Sequence, residues 1–260
     1  MLTSTKNPTI QHIRELQTRP RARREAGQFV VEGVRLVEEA LTAGMLPQTL
    51  LHTAQIGERG EKLLAGFRAR GLEPIPVSDP VMQAASDTAT PQGILAVLPI
   101  ISRPLPAAPH FVLILDRVRD PGNLGTTLRT AAAAGVEALL LPPETADPYA
   151  PKVVRAGMGA HFRLPIVSTS WENICQIISP LHVFLADAAG KISHTEADFV
   201  PPLALIIGGE THGAGSETRG LHPTPIRIPM PGGTESLNAA VAAGIILFEI
   251  VRQRSPEKKV

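Results

Sequence analysis

The chain has 260 residues, of which 43% are hydrophobic, and a formal net charge of +1, so it can build a real core but has no strong global field toward nucleic acid. Its single cysteine, Cys175, excludes a disulfide framework and a multi-cysteine metal site, and we expect no metal. Aromatic residues make up only 3% of the chain, which argues against base stacking as the main mode of RNA contact.

Residues 1–98 alternate short helical and strand-like stretches, which indicates a compact α/β domain. Its first segment is a basic arm with few acidic residues. The cations of this arm are Lys6, Arg14, Arg19, Arg21, Arg23 and Arg24. Such an arm is either a solvated surface or a set of phosphate contacts. The sequence leaves both interpretations open.

Residues 99–110 contain four prolines, at positions 99, 104, 106 and 109, and this density predicts an irregular linker. From Phe111 onward strands and helices alternate again. The strands are continuous apolar runs such as "FVLIL" and "LALII", which are typical of a parallel sheet covered on both faces. We therefore predict a second α/β domain over residues 111–260.

The final helix, predicted from Glu235 to Gln253, is apolar nearly all round. Such a helix is buried either inside one subunit or against a second copy of the chain, and we predict a homodimer. No apolar run reaches the length that a membrane span needs, and the N-terminus lacks a signal-peptide pattern. We expect a soluble, cytoplasmic protein without a membrane partner.

Three loops of the second domain carry polar residues in front of helices. The first, "DRVRDPGNLGTTLR" over residues 116–129, lacks both the dinucleotide-binding glycine pattern and a P-loop lysine. Asn123 is predicted to cap the following helix. Arg129 is an obligate cation on a short apolar helix, and it is either a surface residue or a functional one.

The second stretch, "LALIIGGETHGAG" over 203–215, begins as a strand and continues as a loop that contains four glycines. Glycines let the backbone approach a ligand closely. The third, "IRIPMPGGTESLNAAVAAG" over 226–244, leads into the apolar helix. Ser236 or Glu235 is predicted to cap that helix. Asn238 is predicted to lie inside its first turn, as a buried amide that needs a partner.

Together and in this order, the three loops resemble the motifs of the SpoU family of RNA ribose 2′-O-methyltransferases, a branch of the SPOUT superfamily. The likeness extends from Phe111 to Arg254. More weakly, "FVVEGVRLVEEAL" and "TPQGILAV" are similar to the family's small, ribosomal-protein-like RNA-binding domain. The resemblance implies a parallel α/β domain with a trefoil knot, a homodimer, S-adenosyl-L-methionine as cofactor and RNA as substrate.

The resemblance also assigns roles to residues of this chain. Five positions match the family's catalytic residues: Asn123, Arg129, Glu210, Ser236 and Asn238. Five others match positions that line the cofactor: Gly208, Gly209, Ile228, Met230 and Leu237. Gly157 stands where relatives often carry serine, so no role of that hydroxyl transfers to this chain.

Methyl transfer to a ribose requires that the 2′-hydroxyl lose its proton. The family proposal makes Arg129 the base. Because a guanidinium holds its proton, the alternative is that Arg129 forks onto a phosphate and the ribose while the proton passes to a phosphate oxygen, Glu210 or water. Ribosomal RNA, favoured by the extra domain and the basic arm, is the predicted substrate, most specifically 23S RNA. The alternatives are a tRNA methyltransferase, a non-catalytic RNA-binding or ribosome-assembly factor, and a Rossmann-type nucleotide enzyme.

Overall fold

The computed structural model describes residues 1–209 and 213–255. The chain divides into two compact units, the first formed by Met1–Ile101 with Tyr149–Arg163 and the second by Ser102–Pro148 with Leu164–Val260. The sequence predicted that residues 149–163 belong to the second domain, but this segment packs with the first unit. Residues 100–110, within the predicted linker, form no helix or strand.

The elements of both units follow the chain in this order. Up to residue 99 they are α1 (Pro8–Thr18), α2 (Pro20–Ala26), β1 (Gln28–Glu32), α3 (Val34–Thr42), β2 (Thr49–His52), α4 (Gly57–Arg68), β3 (Ile75–Pro76), α5 (Asp79–Ala85) and β4 (Ile94–Pro99). Beyond it they are β5 (Phe111–Asp116), α6 (Pro121–Ala133), β6 (Ala138–Leu141), α7 (Pro151–Gly157), a 3₁₀ helix (Ala160–Phe162), β7 (Ile166–Ser168), α8 (Trp171–Ile178), β8 (His182–Ala186), β9 (Ile192–Ser193), β10 (Leu203–Gly208), α9 (Ser216–Gly220), β11 (Thr224–Arg227) and α10 (Ala239–Arg254).

The first unit is built on a four-stranded sheet in the order β1-β4-β2-β3, in which β4 runs antiparallel to both neighbours. Because side chains alternate along a strand, Phe29 and Val31 of β1 enter one hydrophobic cluster and Val30 enters the other. The first cluster also takes in apolar residues of α3 and α4, and the second takes in those of α1 and α5.

The segment 149–163 completes the first of these clusters. Val154 and Phe162 are buried in it, and the ring of Tyr149 lies 5.1 Å from that of Phe29, centroid to centroid. At the surface of the same unit, Arg163 pairs with Glu39 at 2.6 Å. The segment therefore supplies part of the first unit's core although it lies between β6 and β7 of the second unit's sheet.

The basic arm has a partly structural role. Arg23 is buried, and its guanidinium donates to the carbonyl oxygens of Leu16 and Gln17 at the end of α1. The exposed Arg19 and Arg21 pair with glutamates four residues away on their own helical turns. Exposed pairs of this kind contribute little stability. Phosphate contact thus remains an option for the exposed cations of the arm and is ruled out as the main role of Arg23.

The second unit contains a seven-stranded sheet in the order β7-β6-β5-β10-β8-β11-β9, and all its strand pairs are parallel. This confirms the parallel α/β domain that the continuous apolar runs predicted. β5 and β10 are neighbours near the middle, with Gly208 opposite Asp116 in the register. Both strands therefore end at the same edge of the sheet, where crevices of open α/β sheets bind ligands.

Helix α10 packs along α6, and an added Cβ at Gly244 would lie 3.7 Å from Thr130 Cγ2. Beside this contact an apolar stripe of α10 stays exposed in the single chain. It consists of Val241, Ile245 and Phe248, at 50%, 37% and 51% exposure, spaced as one helical face. Among residues 1–209 and 213–255, each helix is too short or too polar to cross a bilayer.

Candidate active site

The first loop leaves β5 and enters α6 through a cap that differs from the predicted one. The Oδ1 atom of Asp120, not Asn123, accepts a hydrogen bond from the helix, and its donor is the backbone N–H of Asn123 at 2.8 Å. Both residues are good caps, and the Asp-Pro-Gly order favours the earlier position because proline suits the first helical position. Asn123 therefore lies in the first turn of α6, and its side chain does not cap that helix.

The third loop delivers Asn238 as the cap of α10. Its Oδ1 accepts from the backbone N–H groups of Ala240 and Val241, at 2.9 and 3.3 Å. The predicted start of the helix at Glu235 and the predicted capping by Ser236 or Glu235 are thus wrong, and Asn238 is exposed rather than buried. Several neighbouring polar residues can cap a helix, and local sequence does not rank them.

The two asparagines are joined by a hydrogen bond across 115 residues of sequence. Asn238 Nδ2 donates to Asn123 Oδ1 at 2.9 Å. The orientation of the Asn238 amide follows from its other contacts, because its oxygen already faces two backbone donors of α10. The starts of α6 and α10 are therefore held together by the side chain that caps α10.

A cavity of about 600 Å³ opens beside this junction. Seven of the predicted site residues line it: Gly208, Gly209, Ile228, Met230, Ser236, Leu237 and Asn238. Its glycines are needed for space as well as for turns. A Cβ at Gly208 would lie 2.5 Å from the backbone nitrogen of Ala214, and one at Gly209 would overlap the carbonyl oxygen of Arg117.

The remaining lining is mostly apolar, with two charged side chains of opposite sign. Asp187 follows β8 and Arg219 lies on α9. Nearby, the pKa of the Glu217 carboxyl is lowered by its own backbone N–H and by the Ser216 hydroxyl. An apolar cavity with a few convergent polar groups is typical of a site for a small organic ligand.

The cavity fits S-adenosyl-methionine in size and in chemistry. Apolar side chains such as Ile228 and Leu237 can contact an adenine, and bare glycine backbone can approach a ribose. Arg219 can pair with the carboxylate of the methionine part, while Asp187 can accept hydrogen bonds from ribose hydroxyls. The residues present therefore suit this cofactor.

The structure does not bring all predicted catalytic residues to the cavity of one chain. Of the described residues that line it, none is Asn123 or Arg129, although Asn123 bonds to the lining residue Asn238. Arg129 is exposed on α6, roughly 9 Å farther along the helix axis than Asn123 and roughly 120° away around it. Glu210 lies outside the described residues.

Sequence reasoning missed both charged residues of the lining. For Asp187 a signal existed, because it directly follows the predicted strand "HVFLA" and the ends of parallel strands are the usual ligand edge. For Arg219 there was none, since only the packing of α9 brings it to the cavity.

The comparisons with known proteins agree with this geometry. The sequence profile of the SpoU rRNA methylase family matches residues 110–248, and that of the MRM3-like substrate binding domain matches residues 7–96. Among curated relatives, the 23S rRNA (guanosine(2553)-2′-O)-methyltransferase RlmP of Bacillus subtilis is 33% identical over 95% of this chain and 97% of its own length. The 23S rRNA (uridine(2479)-2′-O)-methyltransferase of Streptomyces viridochromogenes is 32% identical over 96% and 92%.

A solved structure gives the same result. The crystal structure of an AdoMet-bound rRNA methyltransferase from Sinorhizobium meliloti superposes with a TM-score of 0.86 and 34% sequence identity, and the match covers 98% of each chain. Because that likeness covers nearly the whole of both chains, it applies to both units.

Proposed function

The chain belongs to the SpoU rRNA methylase family, and on this premise we propose that it transfers a methyl group from S-adenosyl-methionine to a ribose 2′-hydroxyl of 23S rRNA. The single observation that carries the proposal is the cavity at the ends of β8, β10 and β11, where seven residues of the second and third motifs meet. The names of the Bacillus and Streptomyces relatives support ribosomal RNA as the substrate class.

S-adenosyl-methionine supplies a methyl group already activated on a sulfonium. The protein must then place a 2′-hydroxyl in line with that methyl group and help its proton to leave. Positioned general-base help is worth about 10²–10⁴-fold in rate, and alignment supplies more. We assign the alignment to Arg129, whose guanidinium can donate to a phosphate and to the ribose together. The group that accepts the proton is a phosphate oxygen, Glu210 or water.

The pair of asparagines sets the start of α6 relative to the cavity. Asn238 contacts the cavity and Asn123 at once, so it links the wall of the cofactor site to the helix that carries Arg129. We propose that this link, rather than direct contact with the reacting atoms, is the role of Asn123. Ser236, an exposed lining residue with no capping role, is assigned to substrate contact.

We further propose that the active form is a homodimer through α10 and α6. The exposed stripe of Val241, Ile245 and Phe248 continues the face of α10 that includes Gly244, which lies against Thr130. Arg129 is the exposed neighbour of Thr130, so it borders the same surface. A second copy packed on the stripe would bury its apolar area and bring Arg129 toward the partner's cavity.

The dimer proposal predicts that Phe248→Glu yields monomers with little activity, because a charge would be buried against the partner's apolar stripe. Sedimentation velocity gives the oligomeric state, and methyl transfer to rRNA gives the activity. The matched control is Val200→Glu, another exposed apolar side chain of the second unit, at 63% exposure. A monomeric wild type, or a fully active monomeric variant, would contradict the proposal.

For the cofactor we predict that Arg219→Gln raises the Kd for S-adenosyl-methionine about tenfold, the usual loss when a charge-assisted hydrogen bond is removed. Arg219→Lys should fall between the variant and wild type, because it keeps the charge but not the fork. Isothermal titration calorimetry measures both. An unchanged Kd for Arg219→Gln would assign the carboxylate of the cofactor to another group.

The experiment that tests the function maps 2′-O-methyl groups in RNA from cells with and without the gene, together with transfer of tritiated methyl groups to purified RNA. We expect the loss of one 23S rRNA modification. A lost tRNA modification would make the protein a tRNA methyltransferase, and no transfer to any RNA would leave a non-catalytic assembly factor. We place the reaction in the cytoplasm, which the single cysteine and an rRNA substrate support.

A further inference from the structure

The resemblance to the family assigns no role to the carboxylate of Asp116, which lies at the edge of the sheet next to the cavity. Asp116 ends β5, and its side chain is almost fully buried, with the residue 1% exposed. One oxygen, Oδ2, accepts hydrogen bonds from the backbone N–H of Gly215 at 2.6 Å and from the Thr218 hydroxyl at 2.8 Å. Both donors follow β10, about a hundred residues later in the chain.

The next residue, Arg117, contacts two glycines that follow β10, Gly209 and Gly215. Its backbone has φ 60°, in the left-handed region that a non-glycine residue seldom adopts. Its carbonyl oxygen lies against Gly209, and its guanidinium approaches Gly215 so closely that a Cβ there would lie 2.9 Å from Cζ. The guanidinium is held between Glu144 at 3.5 Å and Glu217 at 3.7 Å.

These contacts act on backbone that forms the cavity wall. Gly208, Gly209, Gly213 and Ala214 line the cavity, and the N–H of Gly213 donates to the carbonyl oxygen of Gly209 at 3.1 Å. Gly215, which directly follows this lining, is tied to the buried carboxylate. Gly208 lies so close to Ala214 that an added Cβ would come within 2.5 Å of the Ala214 nitrogen, so the two backbone stretches of the wall are in contact.

We propose that Asp116 is a positioning residue for the cofactor, which sets the glycine wall of the cavity through Gly215 and Thr218. This inference rests on the proposed use of S-adenosyl-methionine by the same cavity. A carboxylate is suited to the task because one of its oxygens can accept both donors at once. Arg117 supports the placement with its strained backbone and its two ion pairs.

The test measures the Kd for S-adenosyl-methionine by calorimetry, at a temperature well below the unfolding of each variant. Asp116→Ala should raise the Kd at least about tenfold, because both donors lose their acceptor. Asp116→Asn should stay within about threefold of wild type, since its amide oxygen can take the place of Oδ2. Thr218→Val should raise the Kd by about threefold to tenfold. Thr218→Ser, which keeps the hydroxyl donor, should have a Kd near the wild-type value.

The chain offers a matched control in Glu32 of the first unit. That carboxylate is 8% exposed and accepts from the hydroxyls of Ser86 and Thr88, each at 2.7 Å. Glu32→Ala should lower the melting temperature as Asp116→Ala does, yet leave the Kd for S-adenosyl-methionine unchanged.

The outcomes separate the inference from the function on which it rests. If Asp116→Ala lowers only the melting temperature and binds the cofactor like wild type, the positioning role is overturned. Should that variant fail to fold, Thr218→Val decides, and a wild-type Kd there overturns the inference equally. A wild-type protein that binds no S-adenosyl-methionine would instead contradict the proposed function.

Discussion

Arg129→Lys is expected to reduce methyl transfer by about 10²–10⁴-fold, while the Kd for S-adenosyl-methionine stays near the wild-type value. Lysine keeps the charge but has no planar fork, so it cannot hold a phosphate and a ribose oxygen together. Cofactor binding should persist because Arg129 is not among the described residues that line the cavity. Single-turnover transfer of tritiated methyl groups and calorimetry provide the two measurements.

The matched control for this variant is Arg68→Lys, an exposed arginine on helix α4 of the first unit. Its pair with Glu73 at 3.6 Å is mostly solvated and should contribute little. A near-normal rate for Arg129→Lys would remove Arg129 from the site. A rate loss accompanied by an equal loss of cofactor binding would point to damage to the cavity instead.

The second large effect is expected at Asn238, where two roles can be separated by choice of substitution. Asn238→Ser keeps an oxygen that caps α10 about as well as asparagine does, so the free energy of unfolding should hardly change. It removes the amide whose Nδ2 donates to Asn123 Oδ1, and the shorter serine side chain does not replace that donor, so the link between α6 and α10 is broken. We expect a loss of about 10²-fold in kcat, comparable with removal of one positioned donor at other active sites.

Asn238→Ala loses both functions, and its missing cap should destabilise the protein by about 1 kcal/mol besides the loss of activity. Thermal unfolding and steady-state kinetics of the two variants distinguish the roles. Wild-type kinetics in a well-folded Asn238→Ser variant would return Asn238 to a purely structural role. Asn123→Ala should reproduce the kinetic effect without the loss of the cap, because Asp120 caps α6.

The features that the sequence predicted well depend on short stretches of chain. The apolar runs of β5 and β10 are long enough to indicate buried parallel strands, and the seven-stranded sheet confirms them. The order of the three loops predicted the family, because a motif of glycines and polar residues at fixed spacings can be recognised in the sequence alone. Helix caps were the weak point, since Asp120 and Asn123 are equally good caps by local criteria.

The sequence by itself thus determined the α/β class, because periodicity is a local property. The resemblance of its three motifs predicted the family and implied the cofactor and the candidate site residues. Only the tertiary structure decided that Asn238 bonds to Asn123, that Asp116 holds Gly215, and that residues 149–163 complete the first unit's core. It also left one face of α10 exposed. Each of these depends on which distant segments the sheet brings side by side, and no local pattern encodes that pairing.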